Sequence, residues 1–207
     1  GSDMKKNAFL ISALAGVLLA GCIFGPDEID SSPDITLSVL EKKMLEARDP
    51  RGVFLNAKSY VQKQIVTAGG VSRLVEVKFL APDKYKVVTL QDNAPDTAYI
   101  LNGNSAWFID YPKKQIVPIT GDLLQQIKTL FRLGDPDDSY QDLFAQVELK
   151  LTKIGDNEYY KMICYSKIKD QPPYILYIGK HNFLLHRITI PAPRNYSSTV
   201  LRYGLYE

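Results

Sequence analysis

Cysteine is scarce: the 207-residue chain holds 2, too few for a disulfide framework. Histidine is equally scarce, with His181 and His186 the only two, which leaves few options for a Ser/His/Asp arrangement. These two histidines stand five apart in strand-like sequence, away from the one-face helical spacing of a zinc pair. Neither sign of charge dominates. The 25 Lys+Arg nearly balance 23 Asp+Glu, so the basic excess of a nucleic-acid binder is missing. No GxSxG, HExxH, Walker or GxGxxG motif occurs, and no period of 20 to 50 residues points to a solenoid or propeller. The expectation from these absences is a non-enzyme with no cofactor and no metal. What remains is 45% hydrophobic residues, including 13 Tyr and 8 Phe, enough for a folded core.

The N-terminus is organised for export. Gly1, Ser2 and Asp3 read as a cloning scar before Met4, and Lys5 and Lys6 form a positive n-region. The apolar run 8–20 is shorter than the roughly 20 residues a membrane span needs. It ends in Leu19-Ala20-Gly21-Cys22, which resembles the lipobox of bacterial lipoproteins and implies lipidation of Cys22. Residues 1–21 are therefore expected to be scar and signal peptide. Residues 22–34, rich in Gly, Pro, Ser and acids, read as the lipidated Cys and a flexible tether. Ile23 follows the Cys where an Asp would favour inner-membrane retention, so the expected place is the outer membrane, facing the periplasm. Two or more acyl chains suffice for stable anchoring without a spanning helix.

Residues 35–207 read as one domain. Apolar periodicity predicts amphipathic helices over 35–48, 122–132 and 138–145, with Asp34 as the first N-cap and Pro50 beyond the end. Alternation predicts a six-strand meander over 59–67, 71–80, 84–91, 97–102, 105–110 and 114–119, with turns at Gly69-Gly70 and Asn102-Gly103-Asn104. Five further strands follow from 147, over 158–166, 174–179, 184–190 and 199–206. A sheet of about eleven antiparallel strands must curl, so the expected fold is α+β, mainly antiparallel β: an incomplete, half-open barrel with helices over its concave face. Asp135, Asp137 and Asp138 lack the later Glu of a calcium loop and read as helix capping. Cys164, unpartnered once Cys22 is lipidated, reads as a buried small hydrophobe.

The stretch 79–115 carries a family resemblance. A strand ends just before Pro82, Tyr85 follows three residues on, Gly103 precedes Trp107 by four residues, and Phe108-Ile109-Asp110-Tyr111-Pro112 runs an aromatic strand into a proline turn. These elements resemble bacterial outer-membrane lipoprotein carriers and receptors of the Lol type. The order of strands and helices over 35–206 is similar to that family's incomplete eleven-stranded barrel with a helical lid. The resemblance implies an apolar concave face that binds acyl chains or lipoproteins in transit. The lipobox makes the membrane-anchored receptor the nearer analogue.

Cavity and lid candidates are Phe79, Tyr85, Tyr99, Trp107, Ile127, Leu130 and Phe131. Each has a plainer reading as ordinary packing of a half-buried strand or a core-closing helix. The expected partners are acyl chains or lipoproteins, with the chain otherwise a monomer. The alternative is a regulatory or structural envelope lipoprotein whose own helices fill the cavity and whose surface binds a protein partner.

Overall fold

The computed structural model describes residues 27–68, 71–133, 138–191 and 199–203. The signal, Cys22 and the Gly69-Gly70 turn lie outside the described residues. Among the described residues, no helix is long and apolar enough to cross a membrane.

Among the described residues the fold is mainly antiparallel β with three helices, in two compact units. The first unit holds β2 (Ser59–Ala68), β3 (Val71–Leu80), β4 (Lys84–Gln91), β5 (Ala94–Asn102), β6 (Ser105–Asp110) and β7 (Gln115–Ile119), followed by helix α2 (Gly121–Arg132). Its strands pair in sequence order as a meander. Tight turns set the registers. Asp92 and Asn93 both adopt positive φ (51° and 62°) in the two-residue turn between Gln91 and Ala94, as a hairpin turn matched to strand twist requires. Gly103, at φ 58°, opens the turn between Asn102 and Ser105. Strand β5 starts three residues before its expected position, because a register shift between Thr89 and Leu90 accommodates Pro95 opposite Leu90.

The second unit holds β1 (Glu28–Ser31), α1 (Leu37–Arg48), α3 (Tyr140–Leu143), β8 (Gln146–Ile154), β9 (Asn157–Tyr165), β10 (Tyr174–Gly179), β11 (Leu185–Ile190) and most of β12 (Thr199–Tyr203). The order across this unit is β1-β8-β9-β10-β11-β12, antiparallel throughout. Tyr160, Met162 and Cys164 oppose Ile178, Leu176 and Tyr174 on the buried face. Tyr174 packs on Phe144 at 5.3 Å between ring centroids.

Two expectations are corrected here. Residues 28–31 are not flexible tether but an edge strand, with Glu28 opposite Ile154 and Ser31 opposite Leu151; this makes twelve strands among the described residues. The N-cap of α1 is Thr36, whose hydroxyl accepts from the backbone N–H of Val39. Asp34 instead accepts a 2.8 Å hydrogen bond from the Tyr160 hydroxyl. At the other end, Asp49, the residue before Pro50, leaves the helical region and its carboxylate accepts the backbone N–H groups of Val53, Phe54 and Leu55.

Candidate ligand-binding face

Because strand side chains alternate between faces, the registers of the first unit decide which candidates share a surface. One row runs Tyr60, Phe79, Tyr85, Leu101, Ala106, Ile119 across β2 to β7. The next runs Val77, Val87, Tyr99, Phe108, Val117. Aromatic rings tile the face: Tyr60 to Phe79 is 5.1 Å between centroids, Phe79 to Tyr85 5.0 Å, and Tyr99 to Phe108 5.0 Å, all tilted arrangements favoured by ring quadrupoles.

Helix α2 lies over the first row from Phe79 to Ile119 and over the second from Tyr99 to Val117. Ile127 is buried in the same cluster as Tyr85, Tyr99, Leu101 and Phe108, with Leu123, Leu124 and Phe131 packed against it. Phe131 reaches the Tyr85 ring at 5.8 Å. The helix carries Asp122 in its first turn and Arg132 in its last, both complementing its dipole. Its exposed side is tied to the β5–β6 turn by Lys128 Nζ donating to Asn104 Oδ1 at 2.8 Å.

Thus Phe79, Tyr85, Tyr99, Ile127 and Phe131 come together. Leu130 is half-buried and outside the cluster. Trp107 is on the opposite face, paired with Ile100 and Pro118. The reason is parity: the turn that sets Asn102 against Ser105 puts Phe108, not Trp107, opposite Tyr99. Sequence reasoning missed Leu101, Ala106 and Phe108. Reading the register outward from that two-residue turn would have found them.

The face is closed where α2 sits: Ile127 is 0% exposed, Tyr99 3% and Tyr85 6%. Beyond the helix contact, Val75, Val77 and Val87 continue the same face, half-buried. An open depression of about 390 Å³ lies at the far end of β4, lined by Val71, Arg73, Leu74, Leu90, Gln91 and Asp92 among others, and contains none of the candidate residues.

The second unit presents a different chemistry. On β8 to β11, Lys150 opposes Lys161, Lys161 opposes Tyr177, and Tyr177 opposes Arg187. Glu28 of β1 accepts from Lys161 Nζ at 2.7 Å, the Tyr177 hydroxyl at 2.7 Å and Arg187 Nη2 at 3.2 Å. Burial pushes the Glu28 carboxyl up, but the bonds from Lys161 and Tyr177 and the charges of Lys161 and Arg187 outweigh it and hold it below its ordinary 4.5. On the buried face, desolvation, with the Asp34 bond and nearby charge, raises the Tyr160 hydroxyl to about 12. Desolvation, with a contribution from Glu41, raises the Cys164 thiol to about 12.

No family model and no curated protein matches the chain. Solved structures do. A LolA superfamily protein from Nitrosomonas europaea matches 84% of this chain and 93% of its own at 13% identity and a TM-score of 0.42. The chain is similar to LolA superfamily structures. A domain from Vibrio parahaemolyticus assigned to outer membrane lipoprotein sorting matches 81% of this chain and 92% of its own (12% identity, TM-score 0.39). The lipoprotein LppX of Mycobacterium tuberculosis matches 84% and 96% (13% identity, TM-score 0.40).

Proposed function

We propose that the protein is a lipid-anchored binding module of the periplasm, held at the outer membrane through Cys22. It takes an acyl chain, free or carried by a lipoprotein, onto the apolar face of β2 to β7. The half-open barrel of roughly eleven strands expected from the strand number is part of this proposal. The observation that carries it is that one twelve-residue amphipathic helix, α2, covers the aromatic rows of that face. An acyl chain offers the same rows equivalent apolar contact at about 25 cal/mol per Å² removed from water, so exchange of helix for ligand needs no covalent step. The half-buried Val75, Val77 and Val87 supply continuing apolar surface from which a chain enters.

The closed packing of Ile127 on Tyr85 and Tyr99 favours a second reading, in which α2 fills its seat permanently and the protein serves as a regulatory or structural envelope lipoprotein with a protein partner. Organic extraction of the purified protein followed by mass spectrometry separates the two. Copurified fatty-acyl species at near-stoichiometric yield support the first. Their absence, together with no uptake of a fluorescent fatty acid, supports the second.

A further inference from the structure

Strand β1 is held in a way that its own size does not explain. It has four residues, all exposed, and its one large apolar side chain, Ile29, is 66% exposed. Apolar burial therefore contributes little to its place. What holds it is the backbone ladder with β8 and the placement of two acids, Glu28 and Asp30, two residues apart.

The surface they meet needs them. Lys150 and Lys161 stand directly opposite each other on adjacent strands, an arrangement that is destabilising for like charges. Asp30 approaches both, at 3.9 and 3.4 Å. Arg187 is oriented in advance, its guanidinium carbon 4.0 Å above the Tyr177 ring, and aims at Glu28. Three cations thus face two acids. The β8 edge is also longer than its occupant: β8 has nine residues, and β1 pairs with Leu151 to Ile154, leaving 146–150 without a strand on that side among the described residues.

We propose that the β8 edge, with Lys150, Lys161 and Arg187 beside it, accepts an extended acidic segment of another protein, and that β1 fills this site from within the same chain at rest. The recognised chemistry is a strand carrying acidic side chains at alternate positions. A peptide fits this better than a headgroup, because the ladder uses backbone N–H and C=O groups that only a polypeptide supplies. A segment in the same chain competes at an effective concentration in the mM range, so a partner displaces it by pairing along the whole of β8 and by neutralising the third cation. This proposal is independent of the acyl-chain reading.

The test uses the full chain and a fluorescein-labelled peptide of residues 27–34, DEIDSSPD, measured by fluorescence anisotropy. The double variant Glu28→Lys, Asp30→Lys vacates the edge and is expected to bind the peptide at least tenfold more tightly than the unaltered chain. A peptide with its acids replaced by Asn and Gln should not bind, and adding Lys161→Gln and Arg187→Gln to the vacated variant should abolish capture. If the charge variant does not fold, Ile29→Pro removes a backbone N–H from β1, leaves every charge in place, and is held to the same tenfold criterion. Equal binding of acidic and neutral peptides, no binding to a folded vacated variant, or self-association in place of peptide capture would overturn the proposal.

Discussion

At the scale of single residues, the contrast between Trp107 and Phe108 carries the most information. They are neighbours in sequence and aromatic, yet alternation sends them to opposite faces, and Phe108 joins Tyr99 under the helix. Phe108→Ala is expected to lower the unfolding free energy by about 3–5 kcal/mol, the usual cost of removing a buried aromatic ring. Trp107→Ala should cost well under half of that, because its side chain is half-buried and outside the cluster. Urea denaturation of the two variants checks the ordering, and equal losses would contradict the assignment of faces. Cys164, with a thiol raised to about 12 by burial, should resist iodoacetamide at pH 8 in the folded protein. Peptide mapping should find it alkylated only after denaturation.

At the scale of elements, legibility followed the amount of local signal. The hairpin of β5 and β6 was readable, because Asn102-Gly103-Asn104 between two alternating runs demands a tight turn. Strand β1 was not. A four-residue strand after a Gly-Pro pair has no periodicity to detect, and its cause is tertiary: the β8 edge and the cations behind it. The shifted cap of α1 has a similar origin. Asp34 is a good N-cap residue locally, but the Tyr160 hydroxyl claims it, and Thr36 does the capping. The start of β5 was hidden by Pro95, tolerated there by a register shift that local propensity does not foresee.

The seating of β1 also makes a pH prediction. Glu28 faces Lys161 of β9, Tyr177 of β10 and Arg187 of β11, while Asp30 of its own strand meets Lys161 and Lys150 of β8. Its folded-state carboxyl lies below the ordinary 4.5, so its contribution to stability is present above that value and is lost as pH falls through the lower folded value. Lys161 is shifted the other way. Burial lowers its amine, but the bond to Glu28, with the neighbouring Tyr177, Glu28 and Asp30, raises it above 10.5, so its contribution is lost only as pH rises past that value. Glu28→Gln should flatten the acid limb of the stability profile below about pH 4.5 and leave the neutral plateau lower. Thermal melts from pH 3 to 8 measure this, and an unchanged acid limb would show that the carboxylate is not coupled to folding.

At the scale of the whole molecule, the described residues form a mainly antiparallel β protein in two units, with one helix in the first and two in the second. The mixed α and β character and the positions of all three helices were readable from periodicity. The state of the apolar face was not, because periodicity reports that a helix has an apolar side without saying whether that side stays in place. The proposed function turns on that difference. In the first unit the helix occupies the seat assigned to the ligand, so binding requires α2 to move. Hydrogen–deuterium exchange with and without excess oleate, read over residues 121–132, tests this most directly. Exchange in α2 should be at least tenfold faster with ligand while the amides of β5 and β6 stay protected. Unchanged protection of α2 at an oleate concentration that saturates the protein would contradict it.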